Sequence, residues 1–349
     1  MMGQVRSEAA ESLKRLAEGR FGVRVTGISP LAGDASDRAY VRIHHPGISP
    51  PASVGMILPS GFSDEDLPYL NVQSHFREIG LPVPEVYASD PGAGAVLLED
   101  GGDQSLEDIL NFGGWEAARP YYEESIELIV RLQKSAGTSG EPAGRLALSY
   151  GFDAALFERE LHMTRRCAFG DLLGMPATEA DFASPFAALA GELCALPFVL
   201  AHRDFHSRNL MAGDTGRLLV LDFQDARLGP LTYDLGSLVF DSYASLPEEG
   251  RDVLIGKFWE KSGARDHFSG RTAFDHALAL TGLQRNLKAI GTFSYQKTKR
   301  GNSRYIRHIP LTAAHVRHHL SRLSGWKDFA ARLEPYLCAL EDMKMEAGH

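Results

Sequence analysis

Apolar positions change their period part-way along this chain. In "VRVTGISPLAGDASDRAYVRIHH" they alternate with polar ones on either side of a small-residue stretch, which predicts two strands joined by "LAGDASDR". "SVGMILP" (53–59) predicts a third strand. Ahead of them, Leu13 and Leu16 set among charges predict an amphipathic helix ending near Gly19. A helix near 65–79, closed by Gly80, leads through "PVPEVYASD" to the apolar strand "GAVLLED". This is a small antiparallel sheet with one helix inserted.

The pattern changes at "EDGGDQS" (99–105), a Gly-rich linker after a buried strand. Helical periodicity then dominates, over 105–113, 115–136, 152–169, 178–195, 234–245, 247–262, 271–299 and 310–345. Two short apolar runs in the middle, "FVLAHRD" and "RLLVLDF", read as buried strands. The fold class expected is α+β and bilobal: a small antiparallel β-rich N-terminal lobe over 1–100, a hinge at about 98–105, and a larger, mainly α-helical lobe over 106–349. A cleft between such lobes is the expected ligand site.

Composition narrows the function classes. At 349 residues the chain is too long for one small core, and 44% hydrophobic with 23% charged residues is the balance of a globular protein. A net charge of −9 argues against a nucleic-acid partner. Cys167, Cys194 and Cys338 form no CxxC pair and are odd in number, which fits a reducing cytoplasm. No run of 18 apolar residues predicts a membrane span, and the N-terminal segment lacks the apolar core of a signal peptide.

The candidate chemistry starts in "AHRDFHSRNLM". His202, Asp204 and Asn209 follow a short strand, Asp222 comes thirteen residues past Asn209 at the end of "LLVL", and Asp234 opens a helix in "TYDLGSL". A carboxylate and an amide carbonyl at strand ends suit a hard divalent cation, which fills its other positions with water and phosphate oxygens. A third carboxylate apart from the metal can take the proton of an attacking hydroxyl. That is the logic of phosphoryl transfer, in which positioning and charge neutralisation carry most of the catalysis. The kinase template H-x-D-x4-N fits residues 202, 204 and 209, and "DFQ" stands where DFG would. A rival reading takes His202 and His206 as a zinc pair. It requires them on a helix, whereas the stretch follows a strand and no third ligand lies nearby in sequence.

The spacing of "HRDFHSRN" and "VLDFQDARLGPLTYDLGSL", after a β-lobe and a hinge, resembles the aminoglycoside phosphotransferase/choline kinase group of the protein-kinase-like fold, over roughly residues 20–325. With "GDASDRAYVR" and "LQRNLKAIGTF" the chain looks most like the bacterial N-acetylmuramate/N-acetylglucosamine anomeric kinases of cell-wall recycling. The resemblance implies ATP and Mg²⁺ as cofactors and an amino sugar as substrate, phosphorylated on its C1 hydroxyl. It implies Asp204 as catalytic base, Asn209 and Asp222 as metal ligands, and His202 and Asp234 as loop-bracing residues. The alternatives are an aminoglycoside, choline or homoserine phosphotransferase, and a nucleotide-binding pseudokinase.

The pattern also departs from protein kinases. The third strand carries Met56 and no lysine, and the next helix offers Asn71 or Gln73 where a pairing Glu would stand, with Glu78 too late. The missing positive charge could come from Arg38 or Arg42. No Walker A motif occurs; Gly33, Ala35 and Ser36 could bring backbone N–H groups to phosphate or could form an ordinary hairpin turn. The adenine is expected against the hinge backbone at Leu98, Asp100 and Gly101. His206, Arg208, Arg285 and Lys288 are candidate substrate contacts. Arg285 and Lys288 form either a basic wall over the acceptor or a solvated helix face, and "HVRHHL" is expected to be a solvated face, the alternative being a sugar-contacting one.

Overall fold

A computed structural model describes residues 2–31, 38–63, 67–135, 146–213 and 216–343. The chain forms two compact units: 1–104 with 211–224, and 105–210 with 225–349.

The first unit opens with α1 (Met2–Phe21), β1 (Gly27–Pro30), β2 (Ala39–His44) and β3 (Ala52–Ile57). It continues through α2 (Pro68–Glu78), β4 (Val86–Asp90) and β5 (Ala95–Glu99). The strands make one antiparallel sheet in the order β1-β2-β3-β5-β4. Strand β4 arises from "PVPEVYASD", whose two prolines precede the paired residues.

Alternation of side chains gives this sheet two different faces. Ile43, Ile57, Ala95 and Leu97 meet Ala9, Leu13 and Ala17 of α1 in one buried cluster. The helix comes so close that a Cβ on Gly55 would lie 2.4 Å from Leu13 Cδ1, so β3 needs its glycine there. Tyr40 and Met56, paired across β2 and β3, point to the opposite face.

The chain next enters the second unit with α3 (Leu106–Ser135, kinked at Gly114), α4 (Leu146–Ser149), α5 (Ala154–Thr164) and a π-helical turn over Arg165–Leu172. It goes on through α6 (Glu179–Cys194) and β6 (Phe198–Ala201). The short ladder of β7 (Leu210–Ala212) and β8 (Leu218–Val220) carries it back through the first unit. It then completes the second unit with β9 (Arg227–Pro230), α7 (Tyr233–Val239), α8 (Glu248–Lys261), α9 (Ala264–His267), α10 (Arg271–Arg300), α11 (Ile309–Arg322) and α12 (Lys327–Glu341). Strand β6 pairs antiparallel with β9.

Helix α10 is the axis of this unit. It is buried on most of its faces between Phe274 and Gln296, against a core shared with α5, α6, α11 and α12. At Gly291 a Cβ would stand 2.9 Å from Thr164 Cα, so the α10 and α5 backbones touch directly.

Three expectations are corrected here. The helix expected over 234–245 ends at Val239, and the stretch 310–345 is two helices separated by a 3₁₀ turn at Ser324–Trp326. "HVRHHL" is no solvated face: His315 and His319 are 6% and 1% exposed and pack edge-on against Phe240. His319 Nε2 lies 3.0 Å from Asn286 Oδ1, so a buried polar partner replaces water. Among the described residues no helix is long and apolar enough to cross a membrane.

Candidate active site

In the second unit, β6 ends in the buried residue Ala201 and the chain turns at once into the loop 202–209. Arg203 takes φ 83°, a left-handed conformation that a non-glycine side chain adopts at a cost of about 1–3 kcal/mol. Asp234, fully buried in the first turn of α7, offsets that cost. Its two carboxylate oxygens accept the backbone N–H groups of His202 (2.7 Å) and Arg203 (3.0 Å). Burial pushes the Asp234 carboxyl up while His202 and the two N–H bonds pull it down, and burial prevails.

A second buried acid, Asp241, accepts from Ser207 N and Tyr243 N, both at 2.8 Å. The loop is therefore clamped at both ends by carboxylates that bond backbone donors.

The Asp204 carboxylate stands between cations. Lys288 Nζ donates to its Oδ1 at 3.2 Å. Burial pushes its pKa up, but Lys288, Arg285 and Arg203 together outweigh burial and hold the carboxyl far below the usual carboxylate range. Arg203 in turn bonds Glu160 of α5 at 3.1 Å, and Gln284 of α10 bonds the other Glu160 oxygen at 2.8 Å.

Arg285 is 7% exposed, with Nε unpartnered among the described residues, and it acts electrostatically on Asp204, Asp234 and Asp241. The structure thus brings Arg285 and Lys288 together around the loop, one buried and one at the carboxylate.

Asn209 donates from Nδ2 to the Asp204 carbonyl at 2.9 Å, which fixes the orientation of its amide. Its Oδ1 accepts no hydrogen bond among the described residues. His202 is fully buried and takes the Asp204 N–H on Nδ1 at 3.3 Å. His206 lies 4.9 Å from the Tyr243 ring, and burial with Arg285 nearby drives its pKa down to about 3, so it stays neutral. Arg208 pairs with Glu107, reaches His308 Nε2 at 3.1 Å and lies 3.9 Å over the Tyr243 ring.

In the first unit Asp222 also adopts a left-handed conformation, φ 59°. Gln224 Nε2 donates to its Oδ1 at 2.7 Å, and the next residue, Phe223, is fully buried against Tyr69 and Phe76 of α2 at 4.8 and 5.6 Å. A carboxylate there and the Asn209 amide oxygen are hard donors of the kind Mg²⁺ takes. Among the described residues no group of three or more His, Cys, Asp or Glu converges on one metal position.

Leu98 is buried within β5, paired with Val54 and Val86. Asp100 accepts Nε and Nη2 of Arg42 at 2.6 and 2.9 Å, and Arg42 also bonds Asp103 and the Gly102 carbonyl. Gly101 packs beside Met211. Gln73 braces the following loop by donating to the Pro84 carbonyl at 2.9 Å. Arg38 lies near the Tyr40 hydroxyl and acts on it electrostatically. Gly33, Ala35 and Ser36 lie outside the described residues.

Sequence reasoning passed over Arg203, Glu160, Gln284 and Asp241. One signal was available for Asp241, an acid alone in the otherwise apolar and small-residue run "LGSLVFDSYASL".

Comparison with known proteins places this geometry among relatives. The model of the phosphotransferase enzyme family matches residues 27–272. An N-acetylmuramate/N-acetylglucosamine kinase of Pseudomonas putida is 30% identical over 301 residues, 84% of this chain and 84% of that protein. A choline kinase from Streptococcus pneumoniae shares the fold with TM-score 0.58 at 11% identity, over 90% of this chain and 99% of that one. An amicoumacin kinase in complex with AMP-PNP, Ca²⁺ and Ami does so with TM-score 0.59 at 15% identity, over 98% and 96%.

Proposed function

The chain belongs to the phosphotransferase enzyme family, and from that premise we propose that it transfers the γ-phosphoryl group of ATP to the anomeric hydroxyl of N-acetylmuramate or N-acetylglucosamine. The observation that carries the reading is the Asp204 carboxylate: ionised, bonded to Lys288 and mounted on a loop clamped by Asp234 and Asp241. The identity with the Pseudomonas putida kinase supports the choice of acceptor.

In this reading residues 1–100 bind the nucleotide, with the adenine at the backbone of Leu98, Asp100 and Gly101 in the hinge. Residues 106–349 supply the catalytic loop and the acceptor contacts. Asp204 accepts the proton of the C1 hydroxyl as that oxygen bonds the γ-phosphorus, and the bond from phosphorus to the β–γ bridging oxygen breaks, releasing ADP. Lys288 orients the carboxylate and faces the charge that develops on the attacking oxygen. Asn209 and Asp222 each offer an oxygen to Mg²⁺, which when bound neutralises the phosphate oxygens. The reaction takes place in the cytoplasm, on a free sugar.

A panel of acceptors read by ³¹P NMR tests the proposal. The expected product is a sugar 1-phosphate from either amino sugar. Turnover on choline or an aminoglycoside, with neither sugar phosphorylated, would overturn the acceptor, and ATP binding without turnover on any alcohol would make the chain a pseudokinase.

A further inference from the structure

The two acceptors of the proposed reaction differ in one group, the lactyl ether that gives N-acetylmuramate a carboxylate and N-acetylglucosamine none. A cluster beside the loop 202–209 holds the complementary charge. After α10, Asn302 caps the 3₁₀ turn Ser303–His308 by accepting from Arg304 N at 3.1 Å, and the turn ends in Arg307 and His308. His308 is 8% exposed. Its ring lies 4.9 Å from that of Tyr243 and 5.9 Å from that of Phe293, and Phe293 stacks on Tyr305 at 5.8 Å. The imidazole therefore stands on an aromatic floor. Its Nε2 meets two guanidinium groups, Arg208 Nη2 at 3.1 Å and Arg307 Nε at 3.2 Å. A ring nitrogen facing two cationic donors accepts, so the imidazole is neutral and offsets neither charge.

The two guanidinium groups differ in what balances them. Arg208 pairs with Glu107 and lies over the Tyr243 ring. Arg307 is exposed; among the described residues only its Nε is engaged, and no carboxylate meets it. Arg208 stands four positions past Asp204 in the same loop, and the His206 ring is 4.9 Å from the Tyr243 ring. We propose that Arg307, held on His308 beside Arg208, binds the carboxylate of N-acetylmuramate and makes that sugar the preferred acceptor. The inference rests on the kinase reading above and names the specificity residue of its acceptor site. A guanidinium fork matches carboxylate oxygens two at a time. Neutral His308 fixes the direction of Nε without taking the charge away, and the Arg208 donor nitrogen lies within about 6 Å of it. Because Glu107 balances Arg208, the charge left for a ligand is that of Arg307.

The test is calorimetric binding of N-acetylmuramate and of N-acetylglucosamine to the full chain, with ³¹P NMR of the product beside it. The wild type should bind N-acetylmuramate the more tightly. Arg307→Gln should cut the ratio of the two affinities about tenfold, the loss of charge-assisted hydrogen bonds to one carboxylate, and Arg307→Lys should recover part of it. Arg307 is exposed, so neither variant removes core packing. A ratio unmoved by Arg307→Gln, or a wild type that binds neither sugar, overturns the assignment. An Arg307-dependent ratio with no sugar phosphate formed would sink the transfer reading and leave the carboxylate site standing. A sugar 1-phosphate formed with the ratio unmoved would sink the carboxylate site alone.

Discussion

Among the described residues, two non-glycine residues have positive φ, Arg203 in the loop 202–209 of the second unit and Asp222 in the first. They are held by opposite means. Around Arg203 the strain is met by charge: Asp234 bonds the strained backbone directly, Glu160 holds the guanidinium, and Asp241 secures the far end of the loop. Around Asp222 aromatic packing takes a larger part, with Phe223 sunk between Tyr69 and Phe76, beside a side-chain bond from Gln224 to the carboxylate. A loop that must keep a carboxylate ionised among cations can afford buried acids, because each has a partner.

This contrast can be broken experimentally. The largest effect is expected from Asp204→Asn, which keeps the shape and removes the proton acceptor: kcat should fall about 10²–10⁴-fold in a coupled ADP-release assay while ATP affinity stays within about twofold. Near-full activity would show that Asp204 is not the base. Next comes Asp234→Asn, which leaves one oxygen for two strained N–H groups. It should cost about 2–3 kcal/mol in urea unfolding and lower kcat, with ATP affinity little changed.

The remaining effect concerns stability alone and lies in the aromatic packing inside the second unit. Burial first, then nearby arginines, lower His308 to about 3 and His315 to about 4. The unfolded chain therefore binds protons below about 6.5 that the folded chain refuses. Stability should be complete above that pH and drain away toward pH 4, by up to about 1.4 kcal/mol per pH unit for each histidine. Urea midpoints between pH 7.5 and 5 should fall accordingly, and His315→Gln should flatten the slope by one proton; an unchanged slope would show that His315 titrates normally in the fold.

Much of this was legible in the residues themselves. Period-2 alternation places β2 and β3, the Gly-rich linker marks the change to helices, and the spacing of 202, 204, 209, 222 and 234 isolates the polar groups before any coordinates are known. Local chemistry determines these things, because strand and helix periods and the donor types of metal and proton chemistry are short-range properties.

What the spacing could not say is which charge meets which. That Arg42 is bound to Asp100, that Lys288 reaches Asp204 across 84 positions, and that His319 is core and not surface all depend on contacts distant in sequence. Residues on one helix face look alike in a periodic pattern whether water or another helix covers them. Helix α10 shows this: from sequence its Arg285 reads equally as a basic wall over the acceptor or as a solvated face, and the elements packed around it leave it 7% exposed among three acids. Burial and pairing set the electrostatics of the site, and only the tertiary structure supplies them.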